Sequence, residues 1–356
     1  MRASYPCVEI DMKRIQHNAQ YIVDYCNNNG IEVMGVTKGV CALSEVTNAM
    51  IRGGIKKLGD SRLLNIASLK KAGFDVPIYL IRIPMLSEVK DLVQIAEGSL
   101  NSEVEVIKML SQEAKKIGKI HKVILMVDVG DLREGVLPQD VMDVVEQIVD
   151  LKGIELEGLG TNVACYGGVL PTYENTKILL DIAVEIEKKY GIKMKTISGG
   201  NTAALGLLDK GELAPGINQL RIGEAILLGT DPTNLRNVPG TFQGALKLKA
   251  EVIEVKIKPS CPIGKIGRDA FGNIPNHRDV GLIKRAIVAL GKQDCRIEGL
   301  TPTNKAMKII GASSDHLIVD VTKCQDIKVG DVIQFDLNYC AMLSLMTSKY
   351  VSKIFY

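Results

Sequence analysis

Val33-Met34-Gly35-Val36-Thr37-Lys38-Gly39-Val40-Cys41 decides how this chain is read. It begins as a short apolar run with β-branched residues and then breaks, the pattern of a strand buried on both faces in a parallel sheet or barrel. Lys38 stands where that strand ends. A buried ammonium must be paired, lose its proton or bond covalently, and a lysine that deprotonates easily suits imine chemistry. For Lys38 alone the alternative is a stem packed along the strand with its head in water.

The texture around this stretch repeats. Short apolar runs alternate with amphipathic stretches of helical period from Glu32 to Leu228. Strands are expected at Val33–Thr37, Lys57–Gly59, Ile78–Ile81, Ser99–Asn101, Val123–Val127, Ile154–Leu159, Lys195–Ile197 and Gln219–Ile222. Helices are expected at Ser61–Lys71, Val104–Ile117, Val141–Leu151 and Tyr173–Tyr190. Repeated βα units imply a parallel sheet with right-handed crossovers, and this many of them imply closure into a (β/α)8 TIM-type barrel. Ser99–Asn101 is the weakest strand, and an open doubly wound sheet is the competing topology.

After Asp231 the pattern becomes alternating, as in Leu248, Ala250 and Val252. Short runs follow at Ala286–Leu290, Met307–Ile310, Leu317–Val321 and Val332–Leu337, with no helical pattern between them. This reads as a mainly antiparallel β domain. The division is expected in the turn-rich stretch Thr230–Gly240, giving a barrel over 1–232 and a β domain over 233–356. Cys7–Ile10 reads as an early strand, and residues 1–11 fit either the barrel or a pairing with the β domain.

The 356 residues suit a barrel of ~250 plus an appendage. With no Trp and only 4% aromatic residues, the core must be aliphatic. A net charge of +3 and no long block of like charge argue against a nucleic-acid partner. The eight cysteines (7, 26, 41, 165, 261, 295, 324 and 340) form no CxxC pair, which argues against structural zinc and for reduced thiols in the cytoplasm. The N-terminus lacks an apolar signal core, and no run is long enough to span a bilayer. None of the 4 histidines, His277 included, is given an essential role.

Barrel sites gather at the C-terminal strand ends. The polar residues there are Lys38, Asp60 and Arg62, Arg82, Asp128 and Arg133, Thr161 and Asn162, Ser198 to Thr202, and Arg221. So basic a set favours an anionic ligand. In Ile197-Ser198-Gly199-Gly200-Asn201-Thr202, paired glycines bare the backbone and Asn201 and Thr202 can donate at a helix start, which suits phosphate. An ordinary helix cap is the plainer reading. For Arg221 in Arg221-Ile222-Gly223-Glu224 the plainer reading is a salt bridge. A phosphate cradle with a buried lysine and no metal cluster describes pyridoxal 5'-phosphate.

These residues resemble the alanine racemase family of barrel-type pyridoxal phosphate enzymes over nearly the whole chain. The resemblance implies that Lys38 is the Schiff-base and catalytic lysine. Met126-Val127-Asp128-Val129-Gly130-Asp131-Leu132-Arg133-Glu134-Gly135 is similar to the family's Asp-x-Gly-x-x-Arg-x-Gly segment. Arg133 would then contact the cofactor and the substrate carboxylate. Asn201, Thr202, Gly223, Glu224 and Tyr350 would serve the cofactor phosphate. Arg221 would face the pyridine nitrogen. A guanidinium can only donate, so that nitrogen stays unprotonated and the ring is a weaker electron sink. Ser313-Ser314-Asp315 looks like the segment a partner subunit presents to the substrate carboxylate, implying a homodimer whose β domains complete each other's sites.

Two places depart from the family. Asn162 stands where a histidine usually stacks on the cofactor ring. Gly264-Lys265-Ile266-Gly267-Arg268-Asp269-Ala270-Phe271 lacks the tyrosine that serves as the second base, leaving Asp269 as the local substitute or as a surface-loop aspartate. With Gly59-Asp60-Ser61-Arg62, these departures resemble the ornithine racemase branch, implying racemisation of ornithine or a related basic amino acid. The distal amine would need a carboxylate, for which Asp315 and Glu224 are candidates. The competing readings are an alanine or broad-specificity racemase, a basic amino-acid decarboxylase, a pyridoxal phosphate carrier and a metal-free aldolase.

Overall fold

The computed structural model describes residues 5–274, 278–324 and 326–356, so His277 lies outside the described residues. The chain forms two compact units. One is Lys13–Gln243, and the other joins the residues up to Met12 with Gly244–Tyr356.

In chain order the elements up to the end of the first unit are β1 (Cys7–Ile10), α1 (Met12–Asn27), β2 (Glu32–Val36), α2 (Ser44–Arg52), β3 (Lys57–Asp60), α3 (Leu63–Lys71), β4 (Ile78–Leu80), α4 (Val89–Ile95), β5 (Gly98–Asn101), α5 (Val104–Lys116), β6 (His121–Met126), α6 (Val141–Ile148), β7 (Ile154–Gly160), α7 (Tyr173–Tyr190), β8 (Thr196–Ser198), α8 (Leu205–Lys210), β9 (Gln219–Ile222), α9 (Glu224–Leu227), β10 (Thr230–Asp231) and β11 (Arg236–Asn237). Strands β2 to β9 close into a barrel in sequence order. The seam is the parallel pairing of β2 with β9, where Gly35 lies opposite Ile222. All eight expected barrel strands form, the weak one at β5 included.

The barrel interior is mainly aliphatic, as the lack of Trp required, with Tyr79 as an aromatic exception whose hydroxyl donates to the buried Glu157 at 2.8 Å. Met34, Tyr79, Leu100, Ile124 and Met126 make a buried cluster, with Ile81 and Ile83 packed against it. The surrounding helices are amphipathic: α5 buries Val106, Ile107, Leu110 and Ala114 and ends in Lys115 and Lys116, which complement its dipole. Because the strands are parallel, their C-terminal ends open on one side, and that side collects Lys38, Arg133, Asn162, Asn201 and Arg221.

The stretch Thr230–Gly240 stays with the first unit, which continues to Gln243. Its turn residues build the β10–β11 hairpin. Asp231 is fully buried and accepts from the Asn234 amide (2.7 Å) and from Arg236 Nε (3.1 Å).

The second unit continues with β12 (Leu246–Pro259), β13 (Leu282–Val288), β14 (Leu300–Pro302), β15 (Lys308–Ala312), β16 (Leu317–Asp320), β17 (Val332–Leu337), α10 (Tyr339–Thr347) and β18 (Ser352–Phe355). The sheet order is β14-β17-β12-β13-β16-β15. β1 pairs antiparallel with β12 and parallel with β18. Helix α10 corrects the expectation that no helix interrupts this region. Its segment is apolar almost all round, burying Ala341, Met342, Leu345 and Met346, so no helical period stands out. Asn338 caps it, accepting from the Ala341 N–H at 3.1 Å.

Candidate active site

The mouth of the barrel is built from the C-terminal ends of its strands. Lys38 opens a 3-10 turn after β2, and Cys41 and Ala42 then take φ values of 50° and 53°. Two successive non-glycine residues in the left-handed region store strain of order 1–3 kcal/mol each, a feature that clusters at functional sites. Lys38 is half-buried. Burial pushes its amine below the ordinary lysine value, aided by Arg133 and Arg221 and opposed by Cys165 and Asp60. The resulting amine loses its proton more readily than one in water. Asp60 accepts from the Thr37 hydroxyl at 2.7 Å, the Arg62 N–H at 2.9 Å and the Asn65 amide at 3.0 Å.

Arg221, at the end of β9, is only 5% exposed. Its Nη1 donates to Ser198 Oγ at 2.6 Å, and its Nη2 to the Thr161 carbonyl at 2.7 Å and to Asn162 Oδ1 at 3.2 Å. These acceptors are neutral, so the plainer expectation of a salt bridge is not met and a fixed positive charge stands at the mouth. Asn162 also accepts from the Asn201 amide at 3.2 Å, which ties the ends of β7, β8 and β9 together.

The glycine-rich loop after β8 meets the plainer expectation of a helix cap. Asn201 is a helix cap, its Oδ1 accepting from the Ala203 N–H at 2.9 Å. Gly200 has φ +126°, a conformation that favours glycine, with nothing nearer than 3.9 Å to where a side chain would begin, and its carbonyl accepts from the Arg221 N–H at 2.9 Å. Thr202 is buried, and the Ala225 N–H donates to its hydroxyl at 3.4 Å, joining this loop to the start of α9 at Gly223 and Glu224. Glu224 itself turns aside: Thr230 Oγ1 donates to it at 3.4 Å. Burial, with Asp231 nearby and against the Thr230 bond, pushes its carboxyl up to about 7.

Arg133 follows β6. Its Nη1 donates to Cys165 Sγ at 2.9 Å, and its Nε and Nη2 form a two-point pair with Glu134. Arg82 is likewise neutralised, by Glu88 at 2.6 Å. Asp128 accepts from the Gly130 and Leu132 N–H groups. Asp131, 1% exposed, organises the loop after β7. Burial alone would raise its carboxyl, but the N–H groups of Gly167, Tyr166, Cys165 and Val169 outweigh this and hold it below the usual range.

Sequence reasoning gave no role to Glu134, Asp131 or Cys165. The Arg133-Glu134 neighbours and the Gly167-Gly168 pair were the available signals.

The remaining expected residues belong to the second unit. Asp269 accepts from the Asn273 and Phe271 N–H groups at 2.8 and 2.9 Å. Its carboxyl lies below the usual range, chiefly through the bond from Asn273. Ser314 and Asp315 occupy the β15–β16 turn, where the Ser314 carbonyl accepts from the Gln293 N–H at 3.0 Å. Tyr350 is 58% exposed, with Lys349 Nζ 5.3 Å from its ring centroid.

Pyridoxal 5'-phosphate needs an amine, an anion cradle and a group facing its ring nitrogen. The half-buried Lys38, the uncrowded turn at Gly200 beside Thr202, and the buried Arg221 with neutral partners fit those needs in one strand-end cluster. Among the described residues no His, Cys, Asp and Glu grouping could hold a metal ion, and no helix is long and apolar enough to cross a membrane.

Comparison with known proteins agrees with this geometry. Residues 10–231 match the model of the alanine racemase N-terminal domain. The lysine racemase of Thermotoga maritima is 44% identical over 99% of this chain and 98% of its own length. The ornithine racemase of Acetoanaerobium sticklandii is 42% identical, covering 98% of this chain and 99% of its own. Among solved structures, an alanine racemase of Clostridium difficile 630 superposes with a TM-score of 0.74 at 20% identity, covering 100% of this chain and 97% of its own. The Bacillus anthracis enzyme with bound L-Ala-P gives 0.75 at 18%, covering 99% and 95%. The chain belongs to the alanine racemase family, whose members depend on pyridoxal 5'-phosphate.

Proposed function

We propose that this protein is a racemase of basic amino acids, interconverting the L and D forms of ornithine or lysine. The observation that carries the reading is the Lys38 amine, held below its ordinary pKa at the end of β2 beside the buried Arg221. Relatives named as lysine and ornithine racemases match almost the full length at more than 40% identity, which supports the substrate class.

When bound, the cofactor supplies an aldehyde for an amine and a conjugated ring that accepts the electron pair left at the α-carbon. Lys38 would hold that aldehyde until the substrate's own amine displaces it, and the neutral amine so released would take and return the α-proton on one face. Thr202, with the backbone at Gly200, Gly223 and Glu224, would hold the phosphate; Asn201 would act through the cap and its bond to Asn162. Arg221 donates without a lone pair to accept a proton, so it would keep the ring nitrogen bare and restrain charge from spreading too far. Arg133 would receive the substrate carboxylate through its planar fork.

The opposite face needs a second proton carrier. Asp269 is the candidate in its segment, but its carboxylate is committed to its own turn, an arrangement that favours a loop role. Ser314, Asp315 and Tyr350 would act from the β unit of a second copy in a homodimer. The eight free cysteines accord with a cytoplasmic location. Barrel and β unit are proposed as separate domains, meeting near Gln243.

Chirality-resolved turnover of ornithine, lysine, arginine, alanine and serine enantiomers tests this reading. Racemisation of ornithine or lysine faster than the others is expected. Carbon dioxide release with formation of the achiral diamine, and no appearance of the opposite enantiomer, would instead indicate a decarboxylase.

A further inference from the structure

Most acidic side chains around the barrel mouth are already committed. Asp60 is held by Thr37, the Arg62 N–H and Asn65, and Asp131 by four backbone N–H groups. Asp128 caps its own loop, and Glu88 pairs with Arg82. Glu134 differs in kind. Its partner is the Arg133 fork, the group that would receive the substrate carboxylate, and its side chain is only 20% exposed. Its charge is also felt by Arg221. Glu134 thus occupies the place of the substrate carboxylate before a substrate arrives.

We propose that Glu134 selects substrates carrying a second, distal ammonium, by an exchange of ion pairs at Arg133. This rests on the reading of the protein as a basic amino-acid racemase. An incoming α-carboxylate takes the Arg133 fork and displaces Glu134. The displaced carboxylate is mostly shielded from water, and a buried charge stripped of its partner is strongly unfavourable. A diamino acid brings its own replacement, because its distal ammonium pairs with the freed Glu134. Alanine or serine brings none and must bind against a stranded charge. The carboxylate at Glu134 therefore both rejects neutral side chains and recognises basic ones, the double action that specificity requires.

The test uses the cofactor-loaded enzyme with ornithine, lysine and alanine. Glu134→Gln keeps the shape and removes the charge. Its KM for ornithine should rise by about tenfold or more, in line with losing a partner for a shielded charge, while its KM for alanine falls or stays level. Calorimetry with pre-equilibrated racemic ornithine, which undergoes no net reaction, should give the same loss in affinity. Glu134→Asp keeps the charge on a shorter arm, and should move the preference from ornithine toward the longer lysine. Equal losses for ornithine and alanine in Glu134→Gln, or an unmoved ornithine-to-lysine ratio in Glu134→Asp, would overturn the role of Glu134 and leave the racemase reading intact. A wild type that turns over alanine but no diamino acid would overturn the reading beneath it.

Discussion

Arg221 Nη1 donates to Ser198 Oγ at 2.6 Å, so the guanidinium at the end of β9 is anchored by the end of β8. A buried arginine fixed on neutral acceptors keeps its full charge for the mouth of the barrel. Burial lowers its pKa to about 10, which still leaves it protonated at neutral pH.

Replacing Arg221 with Glu would put a proton-holding group opposite the cofactor nitrogen. Racemisation should fall on the order of 10²-fold, the scale of losing one preorganised charge-stabilising group, and keto-acid side products from transamination should rise. Counting keto acid formed per inversion checks this, with thermal unfolding of the variant as the control for folding. An unchanged partition between inversion and transamination would contradict the electron-sink argument.

Glu224 offers a test by pH. Its folded carboxyl titrates at about 7 against 4.5 for the ordinary group, so the folded state holds the proton more tightly. That contribution to stability is fully present below pH 4.5 and is lost as pH rises through 7. Glu224→Gln has no such titration. Its melting temperature relative to wild type should be flat at low pH and climb from pH 4.5 to 8. A constant difference across that range would mean that the carboxyl is not perturbed.

The loop role of Asp269 is open to isotope exchange. The two enantiomers have equal free energy, so kcat/KM must be equal in both directions, and steady-state rates cannot identify a base that serves one face. In heavy water, loss of a one-face base leaves one enantiomer exchanging its α-hydrogen without inverting while the other becomes inert. For Asp269→Ala the loop role predicts that exchange and inversion stay coupled for both enantiomers, with losses below the ~10²-fold expected of a true base. Exchange without inversion from one enantiomer alone would restore Asp269 as the second base.

The barrel was legible because its signals are local. Buried parallel strands read as short apolar runs, and even the polar Ser99–Asn101 segment could be placed by its spacing between helical stretches. Helix α10 was not legible, because a segment apolar on nearly every face has no period to detect. The site divides the same way. Lys38 and Arg221 announce themselves as charges at the ends of apolar strands. Asn201 was legible both as a cap and as part of a glycine-rich loop, and the structure uses the cap. Glu134 and Asp131 were hidden because their meaning lies in partners that only the fold supplies: the turn of the Arg133 fork, and the backbone of a loop more than thirty residues further on.

The central claim is that the Lys38 amine carries the cofactor. Incubation of the purified wild type with pyridoxal 5'-phosphate, followed by removal of the excess, should leave a near-ultraviolet or violet absorbance band that borohydride bleaches as it fixes the cofactor to Lys38. Lys38→Ala treated identically should show no such band. A wild type that stays colourless, or a Lys38→Ala variant that keeps the band, would contradict the account.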